Sequence, residues 1–295
     1  MKRLSAIVII SIVSIAQLYS QDLKELERII DTILLDEIEN KQVLSDEKEE
    51  RKQRESQIGD AKFEKKPKMK KDKKIKLLTI SSPDEVLLRT GIQSYSDGFF
   101  ESANKIFIEL KINYPQSPYL DTATILNGKI YLKAKRFTEA LREFNLIDKD
   151  SGEYPTALFY ISNIHEREGN LINAIKYLNT LTSQFPEHEV ADDALLKLGN
   201  LYLNANNGSQ ALEAGIRVIK YYPERETEDD AFFLIGKVFE KDRILKDFEV
   251  ARQVYKIFIK KAIKERIPKF MNSPFRKRVE INLKYIEKTF FGLEN

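Results

Sequence analysis

Cysteine is absent from this sequence, and that removes disulfides, thiolate metal sites, a cysteine nucleophile and a lipid-modified N-terminal cysteine together. Histidine is nearly absent: His165 and His188 are the only two, too few for a multi-histidine metal site. A dominant charge is missing as well. The 49 Lys and Arg nearly balance 46 Asp and Glu, and a net charge of +3 gives no global field to attract nucleic acid. There is no Gly-rich phosphate loop, no nucleophile elbow and no His-Glu-x-x-His helix. Neither an enzyme's catalytic centre nor a bound cofactor or metal is expected. What is present is 42% hydrophobic and 32% charged residues, the balance of a soluble helical protein with a core.

Glycine is scarce, and its placement is informative. Four of the 11 glycines, Gly91, Gly128, Gly199 and Gly236, stand at steps of 37, 71 and 37 residues. The 71-residue step divides into 34 and 37 at Ser162, which takes the slot of the missing glycine. Twelve residues after each of the first four slots comes an alanine: Ala103, Ala140, Ala174 and Ala211. Twelve beyond three of those alanines comes a proline: Pro115, Pro186 and Pro223. A fixed period in the thirties marks stacked supersecondary units.

Within each unit the apolar pattern is helical twice over. Leu87, Leu88 and Gly91 share a first helix, Asp97-Gly98 forms a turn, and Ala103, Ile106, Phe107 and Leu110 share a second. Two antiparallel helices, A and B, cross closely only where Gly, Ala or Ser replaces a bulky side chain. Larger residues such as Phe107, Tyr131, Phe144 and Tyr202 are expected to fill the gaps around that crossing. The second unit departs from the pattern: its turn, Lys135-Arg136, lacks glycine, and its closing proline is displaced to Pro155. The fifth unit carries three extra residues between Gly236 and Ala251, around Asp242 to Asp247. Beyond Pro268 and Pro274, Phe275 to Phe290 places Val279, Leu283 and Ile286 on one face and reads as a terminal cap.

The preceding residues divide into three segments. Residues 1–20 read as a secretory signal peptide: Lys2 and Arg3 precede an apolar run from Leu4 to Leu18, with cleavage after Ala16 or Ser20. That run is short for a bilayer-spanning helix of ~20 apolar residues, yet left uncleaved it would act as a membrane anchor. Residues 21–44 read as an amphipathic helix striped by Leu23, Leu26, Ile30, Ile33, Leu34, Leu35 and Ile38. This helix suits docking on the repeats or self-association, as a coiled coil of about three heptads at most. Residues 45–81 read as a lysine-rich disordered linker, with eight lysines and only Asp72 as an acid between Lys65 and Lys76. The lysine tract suits contact with an anionic membrane surface. It lacks the interleaved aromatic residues that would stack on nucleic-acid bases. Five repeat units over 82–267 and a capping helix over 268–295 complete the expected organisation.

The repeat resembles the tetratricopeptide repeat: a small residue at the eighth position, Ala at the twentieth, an aromatic or apolar residue at the twenty-fourth and Pro at the thirty-second. Four units fit, although Gly215 stands at the twenty-fourth position of the fourth, and the fifth fits with its insertion. The resemblance implies an all-α fold, a right-handed superhelix (α-solenoid). The 37-residue steps and the junctions Tyr114-Pro115-Gln116-Ser117-Pro118, Phe185-Pro186-Glu187-His188 and Tyr221-Tyr222-Pro223-Glu224 are similar to bacterial cell-envelope members. Those include the tetratricopeptide lipoprotein of outer-membrane assembly and the periplasmic Tol–Pal coordinator.

The resemblance further implies a concave groove, lined by helix A, that binds extended or helical peptides. The fifth positions, Leu88, Ile125, Phe159, Leu196 and Phe233, and the ninth, Ile92, Lys129, Asn163, Asn200 and Lys237, are its expected lining. The partner-binding set is therefore Phe159, Asn163, Arg167, Leu196, Asn200, Phe233, Lys237 and Lys241. In it Phe159 and Phe233 serve as apolar anchors, while Arg167 and Lys241 meet acidic groups. Asn163 and Asn200 can pair with the N–H and C=O groups of a peptide backbone. The family's Lys/Asn/Asn/Lys/Arg clamp for a C-terminal carboxylate is not reproduced. Asp192/Asp193 and Asp229/Asp230 recur at equivalent helix starts, which points to capping rather than acid–base catalysis. His165 falls at a core position of unit three. The expected role is an exported periplasmic scaffold for protein–protein interactions in an envelope complex, serving outer-membrane assembly, division or a periplasmic motility apparatus. An accessory module for a cell-wall or polysaccharide-processing enzyme, and an adaptor anchored in the inner membrane by an uncleaved N-terminus, are the alternatives.

Overall fold

The computed structural model describes residues 82–223 and 225–293. The predicted signal peptide (1–20), amphipathic helix (21–44) and linker (45–81) lie outside the described residues. Among the described residues there are twelve helices and no strand. Five pairs come first: α1 (Pro83–Ser96) with α2 (Phe100–Asn113), α3 (Leu120–Lys133) with α4 (Phe137–Phe144), α5 (Tyr154–Arg167) with α6 (Leu171–Gln184), α7 (Ala191–Asn204) with α8 (Gly208–Tyr221), and α9 (Glu228–Lys241) with α10 (Phe248–Ile263). A short α11 (Pro268–Met271) and a final α12 (Arg276–Phe291) follow. None of the described helices is long and apolar enough to cross a membrane.

The helices start where the sequence supplies starts. Acidic side chains occupy the first turns of α1, α3, α7 and α9, facing the positive end of each helix dipole. Pro83 is the first residue of α1 and Pro155 the second of α5, within the first turn, where no intrahelical donor is lost. Asn170, Asn207 and Asp247 accept backbone N–H bonds at the starts of α6, α8 and α10.

Register repeats closely. Each of the first five A helices is 14 residues long, and its ninth residue is Gly91, Gly128, Ser162, Gly199 or Gly236. Each B helix has a fully buried alanine fourth: Ala103, Ala140, Ala174, Ala211 or Ala251. Three crossings are filled by a ring from the unit's own B helix. A Cβ on Gly91 would collide with Phe107, one on Gly128 with Phe144, and one on Gly236 with Tyr255. In the third unit the Ser162 hydroxyl donates to the Phe159 carbonyl at 2.6 Å, which keeps it satisfied inside the core. The fourth unit is different. Gly215 offers no ring, so Leu234 of the next unit reaches the space over Gly199, and Ile235 the space over Gly215.

Turns between A and B repeat as well. Seven residues after the small slot, Gly98 (φ 83°), Lys135 (φ 58°), Gly169 (φ 77°) and Asn206 (φ 57°) all adopt the left-handed conformation. The inserted fifth turn is instead organised by Asp242. Its Oδ1 accepts from the amides of Ile244 and Leu245 at 2.9 Å, and its Oδ2 accepts from Gly208 N at 3.0 Å.

A side-chain ladder joins successive units. Ser117 Oγ donates to Asp84 Oδ2 at 2.6 Å, Ser151 Oγ to Asp121 Oδ2 at 2.6 Å, and Thr227 Oγ1 to Asp192 Oδ2 at 2.7 Å. A Ser273 hydrogen bond opposes the burial that raises the Asp229 carboxyl, so α12 takes the place of an A helix after the fifth unit. Val279 and Ile286 bury its inner face, Phe290 stacks on Phe248 at 3.8 Å, and Arg252 lies 4.4 Å from the Phe291 ring. The ninth residue of α12 is the exposed Lys284 rather than a small one. A long side chain therefore stands where the five preceding A helices keep room for a close crossing.

Candidate partner-binding groove

Successive A helices α3 and α5, and again α7 and α9, touch one another directly. No two B helices make contacts of that extent, so the A helices form the inner wall. Residues projecting from the wall, and not those buried between its helices, can meet a partner.

The eight predicted groove residues divide on that criterion. Leu196 is 8% exposed and Phe233 is 6% exposed. Phe233 is also stacked on Phe275 at 4.5 Å, with Lys237 Nζ 5.6 Å from its ring. Both side chains therefore hold the wall together and do not present anchors on it. Phe159 is half-buried, edge-on to Tyr160 at 5.7 Å, and its apolar surface serves the core beside Leu158 and Leu178. Asn200 is exposed, but its amide donates to the Leu196 carbonyl of its own helix at 2.9 Å. Lys241 is exposed. Burial pushes the Lys237 ammonium below the usual lysine range, and the neighbouring charges of Lys241 and Arg278 push it the same way.

Asn163 and Arg167 are brought together. They line an open polar cavity of about 470 Å³ with Leu132, Lys133, Lys135, Tyr160, Glu166 and Lys197. Four cationic groups there face one carboxylate, and that carboxylate, Glu166, is ion-paired with Lys197. Ring faces hold the adjoining ammonium groups without neutralising them. Lys129 Nζ lies 5.5 Å from the Tyr160 ring and 5.8 Å from Tyr95, and Lys133 Nζ lies 5.2 Å from Phe100. Sequence reasoning missed Lys133, Lys135, Tyr160 and Lys197. The usable signal for Lys135 was the turn without a glycine.

At the other ends of the A helices the wall is acidic. The Asp230 carboxyl is pushed up to about 7, first by burial and then by the charges of Asp229 and Asp193. His165 is half-buried and stacked on Tyr177 at 5.5 Å, with Nδ1 3.6 Å from Glu168. No group of three or more His, Asp or Glu suited to a metal occurs among the described residues.

The model of YfiO, an outer membrane lipoprotein family, matches residues 151–294. No curated protein matches the chain. Among solved structures, a tetratricopeptide repeat protein from Parabacteroides merdae superposes with a TM-score of 0.53 at 18% identity, over 72% of this chain and 80% of that one. MamA gives 0.49 at 21% identity, over 63% of this chain and 95% of its own. Pseudomonas aeruginosa PilF gives 0.47 at 14% identity, over 70% and 93%. The Parabacteroides likeness speaks to the fold alone. Taken with the slot glycines, the buried alanines and the paired helices, it leads to one assignment: the chain has the tetratricopeptide repeat fold, and its residues 151–294 resemble the YfiO type.

Proposed function

We propose that the chain is an exported, periplasmic scaffold whose inner wall of A helices holds a segment of another cell-envelope protein. The observation that carries this reading is the polar cavity on that wall, where Asn163 and Arg167 stand open beside Lys133, Lys135 and Lys197. The match of residues 151–294 to an outer membrane lipoprotein family supports an envelope setting. Export is supported by Lys2 and Arg3 ahead of the apolar run from Leu4 to Leu18. The contact face runs through Asn163, Arg167, Asn200, Lys237 and Lys241, with Phe159, Leu196 and Phe233 packed beneath it. The lysine tract of the linker and the 21–44 helix are secondary contacts in the same reading, to the membrane surface and to a second copy.

A photo-crosslinking residue placed at Asn163 in intact cells should capture envelope proteins, whereas one at Ile112 on α2 should not. Capture from Ile112 alone would reject the inner wall as the docking face. Fractionation with N-terminal sequencing should find a periplasmic form beginning after Ala16 or Ser20. A wholly cytoplasmic form would overturn export.

A further inference from the structure

We propose that the cavity between α3, α5 and α7 receives the carboxylates of an acidic polypeptide segment, an inference that rests on the groove reading above. Lys135 is the observation that points there. Its three counterparts in the array, Gly98, Gly169 and Asn206, are residue types that accept positive φ, and Lys135 holds φ 58° without that tolerance. A strained residue kept at a surface turn is a reason to look for function. Here the strained residue's side chain lines the cavity, where it adds to the charge of Lys133, Arg167 and Lys197.

The charge balance is uneven in a specific way. Glu166 pairs with Lys197, and no carboxylate among the described residues pairs with Lys133, Lys135 or Arg167. Lys133 is steadied by the Tyr95 and Phe100 rings, which orient an ammonium group yet leave its charge intact. Arg167 can clasp a carboxylate with two parallel N–H donors. Asn163 adds a donor and an acceptor suited to the backbone of the same segment. A uniformly charged strand such as a nucleic acid fits this wall poorly, because Asp193 and Asp230 stand at the N-terminal ends of α7 and α9. A short acidic run flanked by neutral or basic residues suits both the cations and those acids.

The test is selection of random dodecapeptides displayed on phage against the full chain, followed by affinity measurement of the enriched peptides. The expected result is enrichment of clustered Asp and Glu. Lys135→Gly should then weaken binding roughly fivefold while Tm holds or rises, and Arg167→Glu should weaken it more than about tenfold. The Lys135→Gly result separates a binding role from a structural one, since glycine suits the turn better than lysine. Enriched peptides that are neutral, apolar or basic, yet are lost on Asn163→Ala plus Arg167→Ala, would overturn the acidic class and leave the groove standing. Failure to enrich any peptide, or binding indifferent to all four substitutions, would reject the groove itself. An RNA oligonucleotide that binds more tightly than the best peptide would also overturn the proposal.

Discussion

Units two and four solve the same packing problem differently. In unit two the space over Gly128 is filled by Phe144 of the unit's own B helix. In unit four Gly215 cannot fill the space over Gly199, and Leu234 arrives from unit five. One crossing is closed from within and the other from outside. The α8–α9 contact is more extensive than the α4–α5 contact, in which α4 is also the shorter helix. In a linear array, stability is a sum of unit terms and neighbour terms. Unit two leans on the first kind of term, and unit four on the second.

Substitution should separate these cases. Phe144→Ala, the largest expected effect, should cost about 3–5 kcal/mol. Hydrogen exchange should rise most in α3 and α4, and less in α5, where Tyr160 stacks on Phe144 at 5.3 Å. Leu234→Ala should cost about 2–4 kcal/mol and raise exchange in α7 and α8 as well as in α9. If exchange rose in α9 alone, the shared crossing would not couple the two units. Asp230 tests the same boundary electrostatically, because its carboxyl feels Asp193 across units. Its pKa is raised on folding, so its protonated form favours the native state at low pH and that contribution is lost as pH rises through about 7. Asp230→Asn should therefore remove part of the stability loss between about pH 4 and about pH 7, some 1–2 kcal/mol after allowance for solvent screening. An unchanged pH profile of Tm would show that Asp230 titrates as an ordinary exposed carboxylate. The smallest effect is expected within unit two: Lys135→Gly should stabilise by up to about 1 kcal/mol in thermal or urea unfolding. A loss of stability there would mean that the lysine side chain contributes more than its backbone costs.

Much of this architecture was legible because close helix crossings leave a mark that sequence preserves. Gly91, Gly128, Ser162, Gly199 and Gly236 announce the A helices, and Ala103 through Ala251 announce the B helices. The groove was less legible. The fifth-position rule placed Leu196 and Phe233 on its surface, but that rule describes one helix, whereas burial depends on the neighbouring helices. Phe233 disappears beneath Phe275, a contact between distant residues that periodicity does not encode. Lys133 and Lys197 belong to the cavity through the way three helices converge. Lys135 was visible only as a missing glycine, and its left-handed backbone turns that absence into a clue.

Lys284 has a consequence for how such an array can lengthen. The five preceding A helices keep glycine or serine where their partner crosses, and α12 places a long cationic side chain at that point. A duplicated hairpin spliced upstream of Pro268 would inherit a ready seat. One placed against α12 would meet the Lys284 side chain first, so a module is accommodated more readily upstream of Pro268 than on that face.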